Sequence, residues 1–156
     1  MRSIRRPERH EDLVRRLAEE PHPKSKRALF PTMRDLLCFA AVVGYEEGVR
    51  TPLGSGATKE IDGRIFENSP PAVDLIYLLA LADTKNADIL QDSREDEMVR
   101  IFEEYAATGL GVIESWTKET PNDSDGDQAI LQAMRKGGYL GVGGQPVTKL
   151  LDEVQF

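Results

Sequence analysis

The chain has 156 residues, 40% apolar and 30% charged, with a formal net charge of −7. That length suits one domain able to bury a real core, and the composition is that of a globular protein rather than a disordered or fibrous one. A single cysteine, Cys38, excludes an intramolecular disulfide framework.

The charge is unevenly spread. Residues 1–34 carry ten Lys/Arg and five acids, a net of +5, while the remaining 122 residues carry ten Lys/Arg and twenty-two acids, a net of −12. A basic front with an acidic remainder fits either phosphate contacts or a solvated N-terminal segment. Arginines follow Met1 but no apolar h-region does, so no signal peptide is expected. The longest apolar runs, Leu36–Val43 and Leu75–Ala82, are far shorter than a membrane span. A cytoplasmic location is expected.

In chain order, residues 1–6 read as a basic, partly disordered arm. Pro7 suits the first turn of a helix running to about Glu20, with Leu13, Val14 and Leu17 as its apolar stripe. Pro21 and Pro23 end it, and Lys24, Lys26 and Arg27 form a second basic cluster in the following loop. Folded onto one face with Arg5, Arg6 and Arg9, that cluster would make a patch for a polyanion. No aromatic residue interleaves with it, so base stacking is not indicated.

Thr32 with Asp35 three residues on has the look of a helix N-cap, and Pro31 blocks extension backward. The near-continuous apolar run Met33–Val43 predicts a central helix over 32–44, buried on most sides, with Gly44 just past its end. Cys38 lies inside that run and reads as a small core residue rather than a nucleophile. Gly54–Ala57 is a flexible connector. Residues 59–68 fit a short strand or a helical turn equally well. Ser69 and Pro70 punctuate the start of a second strongly apolar helix through Ala82, expected to pack on the first.

Asn86–Asp92 reads as a turn. Ser93 with Asp96 repeats the capping pattern, and Met98, Ile101, Phe102 and Tyr105 follow helical spacing. Gly109 and Gly111 are expected to kink or end that helix, and Leu110, Val112, Ile113 and Trp116 carry its apolar face onward. The adjacent Glu103 and Glu104 point to different sides of it and so cannot pair for acid–base work; a salt-bridging surface is expected. A short helix over 128–136 and another over 147–154 follow. The fold expected is mainly α: a compact single-domain bundle of five to six helices over 1–156, with one short β-hairpin or extended segment near residues 48–67. The glycine-rich tail 137–156 holds the last short helix.

Three constellations imitate chemistry. Asp123, Asp125 and Asp127 alternate as at the start of a calcium loop, but its sixth position falls on Gln128 and its twelfth on Met134. Gly138–Gly144 lacks the order of a phosphate-binding loop and follows no strand. His10 and His22 are not at metal spacing and have no cysteine partner. No catalytic residue, metal site or cofactor is expected, and the chain does not read as an enzyme.

The stretch Asp35-Leu36-Leu37-Cys38-Phe39-Ala40-Ala41-Val42-Val43-Gly44-Tyr45, followed by Arg50-Thr51-Pro52-Leu53, resembles a family found beside DNA phosphorothioation genes. The patches Arg64–Ser69 and Ile101–Ala106, with Gly109-Leu110, agree, as does the opening Ile4-Arg5-Arg6-Pro7 with His10-Glu11. That family is dnd system-associated protein 4. The likeness runs from residue 4 to about 117 and excludes the tail from Gly137. The Dnd-type systems replace a non-bridging phosphate oxygen of DNA with sulfur. The resemblance implies an accessory, non-enzymatic part in that modification or in the restriction defence coupled to it. In such a part the chain would contact DNA, for which the basic clusters offer Arg5, Arg6, Arg9, Lys24, Lys26 and Arg27, or adapt a larger component of the system. The alternative is a helical protein–protein scaffold with no DNA contact, self-associating or binding its partner near Trp116 or the tail. Partners expected are DNA and other proteins of the system, with oligomerisation open.

Overall fold

The computed structural model describes residues 1–140; the tail from Gly141, including the expected helix over 147–154, lies outside the described residues. Among them are six helices and one two-stranded sheet: β1 (Ile4–Pro7), α1 (Glu11–Ala18), α2 (Met33–Glu47), β2 (Thr58–Ile61), α3 (Gly63–Glu67), α4 (Pro70–Thr84), α5 (Glu95–Glu119) and α6 (Asp127–Lys136). The architecture is mainly α, as expected.

The organising unit is the α2–α5 pair. Thr32 caps α2: its Oγ1 accepts from the Asp35 N–H at 3.1 Å and donates to the Asp35 carboxylate at 2.8 Å. The helix runs three residues past its expected end. Gly48, not Gly44, is the left-handed stop, with φ 72°. Gly44 is instead buried inside α2, where a Cβ would strike the carbonyl of Tyr105. Across the pair, a Cβ on Gly109 would strike the carbonyl of Ala40. These glycines therefore let two backbones touch. Gly109 and Gly111 neither kink nor end α5, which is continuous over 25 residues.

Leu36, Leu37, Ala40 and Ala41 of α2, Ile76 and Ala80 of α4, and Phe102, Leu110 and Ile113 of α5 form the centre of one core. Phe66 of α3 meets Phe102 edge-on at 5.6 Å between ring centroids. The outer faces of α2 and α4 are a different matter. Val42 is 47% exposed and Leu78 61% exposed, so these apolar helices are not buried on all sides.

The N-terminal segment is not a loose arm. Ile4 pairs with Ile61 and Pro7 with Thr58 in an antiparallel ladder. The extended segment expected near 48–67 is thus real, but its partner strand lies some fifty residues upstream rather than across a hairpin. Pro7, with no N–H to give, stands at the end of β1, where none is needed. The helix expected to start at Pro7 begins with a 3-10 turn, Glu8–His10, and α1 stops at Ala18. No helix among the described residues is long and apolar enough to cross a membrane.

Candidate functional site

The six cations expected to contact DNA lie on β1, on the 3-10 turn and in the loop before α2. Arg5 lies on β1, where its N–H donates to Glu103 Oε1 at 2.7 Å and its guanidinium reaches Glu103 Oε2 at 3.4 Å. Arg2 adds a two-pronged contact to the same carboxylate, at 2.6 and 3.0 Å. Arg6 is 3% exposed and ion-paired with Glu11. Arg9 is exposed at the end of the 3-10 turn. Lys24, Lys26 and Arg27 are exposed together, in a loop closed by two 2.8 Å backbone bonds: the His22 N–H to the Arg27 carbonyl and the Lys26 N–H to the His22 carbonyl.

That loop is tied to an acidic one. His22 Nδ1 accepts from the Lys24 N–H at 3.1 Å, so its Nε2 carries the proton and faces Asp127 at 3.2 Å and Asp125 at 3.8 Å. Burial alone would raise the Asp127 carboxyl, but the Gln128 N–H, Asp123 and His22 outweigh it and hold the carboxyl below its ordinary range. Asp123 accepts the Ala129 N–H at 2.8 Å. The alternating aspartates therefore stabilise the start of α6 and pin the basic loop.

Glu103 and Glu104 are the largest departure from expectation. They do point to different sides of α5, but neither is on the surface: Glu103 is fully buried and Glu104 nearly so. Glu104 takes the Arg50 guanidinium at 2.7 Å, and Arg50 also reaches Asp83 of α4 at 2.8 Å. Tyr105 Oη donates to Asp83 at 2.5 Å; burial and then this bond push its phenol up to about 12. Thr51 and Thr108 share a 2.7 Å hydroxyl contact beside them. The network fastens residues 49–51 to α4 and α5. No charge pattern near Glu103 in sequence signals this, because its cations, Arg2 and Arg5, lie about a hundred residues earlier in the N-terminal segment.

Two grooves flank Trp116. One, of about 240 Å³, is lined by Phe39, Val42 and Val43 of α2, Trp116 of α5, and Met134 and Tyr139 at the end of α6, with Glu46 and Glu47 on its rim. The other, of about 340 Å³, shares Glu47, Trp116 and Ala133 with it, lies between α5 and α6, and includes Glu119 and Lys136. Burial and then Glu46 and Glu47 raise the Tyr139 phenol above its ordinary value. Trp116 was legible as a core or interface residue; the groove was not, since it needs α6 placed beside α2. Cys38 is half-buried, and burial pushes its thiol up to about 11, the protonated and unreactive form at neutral pH. Among the described residues no three His, Cys, Asp or Glu side chains are grouped to hold a metal.

No curated protein and no solved structure matches this chain. The family model for DNA sulphur modification system-associated protein 4 matches residues 3–138, reaching beyond the stretch that carries the sequence resemblance and ending two residues into the glycine-rich tail. The chain belongs to that family, and with it to the proteins associated with a DNA sulphur modification system.

Proposed function

We propose that the chain is a non-enzymatic accessory component of a Dnd-type DNA phosphorothioation system, serving its modification or coupled restriction defence as an adapter that docks a larger protein of that system. The observation that carries this reading is where the ionised groups go. Glu103, Glu104 and Asp83 are locked into ion pairs with Arg2, Arg5 and Arg50 that join distant segments. A general acid or base needs a free valence toward substrate, and these carboxylates spend theirs on the fold. Arg6 is likewise buried against Glu11, and the Arg5 guanidinium is turned partly toward Glu103. Large apolar side chains stay exposed on the outer faces of α2 and α4 and in the groove at Trp116.

A second reading, DNA contact, is favoured by the exposure of Arg9, Lys24, Lys26 and Arg27. Contact by these four cations alone would give a modest salt dependence of binding. The test pairs two measurements. The tagged chain, expressed with the proteins encoded in its phosphorothioation gene cluster, is expected to co-purify with one of them. The chain alone is titrated with plain and phosphorothioated duplexes at two salt concentrations. Tight, salt-sensitive binding abolished by Lys24→Ala, Lys26→Ala and Arg27→Ala would replace the adapter reading with the DNA-contact one. Nucleotide or DNA turnover by the pure chain, lost on changing an acidic residue, would replace both.

A further inference from the structure

We propose that the α2–α5–α6 groove beside Trp116 is the docking site for an amphipathic helix with basic flanks, carried by a protein component of the system. This rests on the adapter reading and names its surface and the chemistry of its partner.

The floor is apolar where an isolated surface would not be. Val42 is 47% and Tyr139 52% exposed, while Phe39, Val43, Trp116 and Met134 are half-buried beneath them. At about 240 Å³ the groove is below the ~300–1,000 Å³ typical of small-molecule sites. A ridge of side chains at i, i+3/i+4 and i+7 is the better fit, as where apolar helices lie in grooves. An indole flanked by two depressions is also the residue type that most often anchors an interface.

The rim selects the partner's charge. Glu46 and Glu47 are exposed along α2, and Glu119 borders the neighbouring depression, against Lys136 as the one cation lining either groove. A partner that buries this floor brings its own flanking charges to within a few ångströms of those carboxylates. Lysines or arginines there gain attraction, and acids there are repelled. A second copy of this chain would set Glu46 and Glu47 against the same acids across a two-fold axis, which disfavours it.

Trp116 is the chain's only tryptophan, so its fluorescence reports on the groove directly. The full-length chain is titrated with three synthetic peptides: a leucine–lysine amphipathic helix, the same helix with glutamate for lysine, and a serine-for-leucine control. A saturable change in Trp116 emission is expected with the leucine–lysine helix alone. Glu46→Lys with Glu47→Lys weakens it by about tenfold or more, and Val42→Asp abolishes it while leaving the circular-dichroism melt near wild type. An equal response to the glutamate helix, or a response indifferent to Val42→Asp, overturns the proposal. So does a shift in Trp116 emission caused by Leu150→Asp with Leu151→Asp in the absence of peptide, which would put the chain's own C-terminal segment in the groove. A concentration-dependent dimer dissolved by Val42→Asp would assign the groove to a second copy and overturn it equally. If the system's partner co-purifies with wild type and still does so with the Val42→Asp chain, the groove assignment fails and the adapter reading stands. If nothing co-purifies with wild type, the adapter reading itself fails.

Discussion

Gly109 and Gly111 lie two residues apart in α5, yet the same substitution has opposite expected effects. A methyl on Gly109 runs into the Ala40 carbonyl, so Gly109→Ala must push two helices apart. The expected cost is about 1–3 kcal/mol or more. At Gly111 the nearest outside atom is His10 Cε1, 4.0 Å away, ordinary contact. Gly111→Ala there is expected to stabilise by about 0.5–1 kcal/mol through helix propensity. Paired denaturant melts check both. His10 offers a second residue-level test. It is 4% exposed, with Nδ1 3.2 Å from Glu114. Burial lowers its pKa, Glu114 pulls the other way, and Arg9 and Lys118 lower it further; the net shift is downward. The unfolded chain then binds more protons than the folded one between the folded pKa and the ordinary 6.5. Stability is therefore full above that ordinary value and falls as pH drops through it. His10→Gln should flatten the decline in melting temperature between neutral and mildly acidic pH, read as the wild-type minus variant difference.

At the scale of elements, what is local was legible and what is non-local was not. Thr32 and Asp35 sit within one turn, so the start of α2 could be read from spacing alone, and Thr32→Ala should cost about 1 kcal/mol of stability by urea titration. Ser69 and Pro70 punctuated α4 correctly for the same reason. β1 was missed because Arg2–Arg6 has no alternation of its own; the strand exists through its ladder to β2 and the bond from Arg5 N–H to Glu103. Gly44 and Gly109 were misjudged as stops because a glycine read locally is a breaker, whereas here each is a place of close approach. The candidate site divides likewise. The identities of the basic residues were readable, but their counter-ions were not, since a buried carboxylate in α5 looks like any other helical glutamate. Glu103→Ala should cost about 3 kcal/mol, because it leaves Arg2 and Arg5 facing a buried gap. If Arg5→Ala in the same background costs little more, the clamp accounts for the loss, and a double-mutant cycle measures it.

For the whole molecule, many charges are paired within the fold, some of them between the +5 front segment and the −12 remainder. Arg2 and Arg5 meet Glu103, Arg50 meets Glu104 and Asp83, and His22 meets Asp125 and Asp127. Helices α1, α2, α3, α4 and α5 all contribute to one apolar cluster. Thermal unfolding followed by Trp116 emission and by far-ultraviolet circular dichroism should therefore give coincident transitions; separated midpoints would show that α6 melts on its own. The backbone contact between α2 and α5 has one more consequence. Two helices that touch without side chains between them leave no room for solvent to reach their peptide groups by small fluctuations. The amide hydrogens of residues 40–44 and 105–109 should exchange with deuterium only when the entire fold opens, while those of α6, which contributes no fully buried side chain to that cluster, exchange sooner. One wall of the Trp116 groove then keeps its shape on the timescale of global unfolding, and the other is free to adjust.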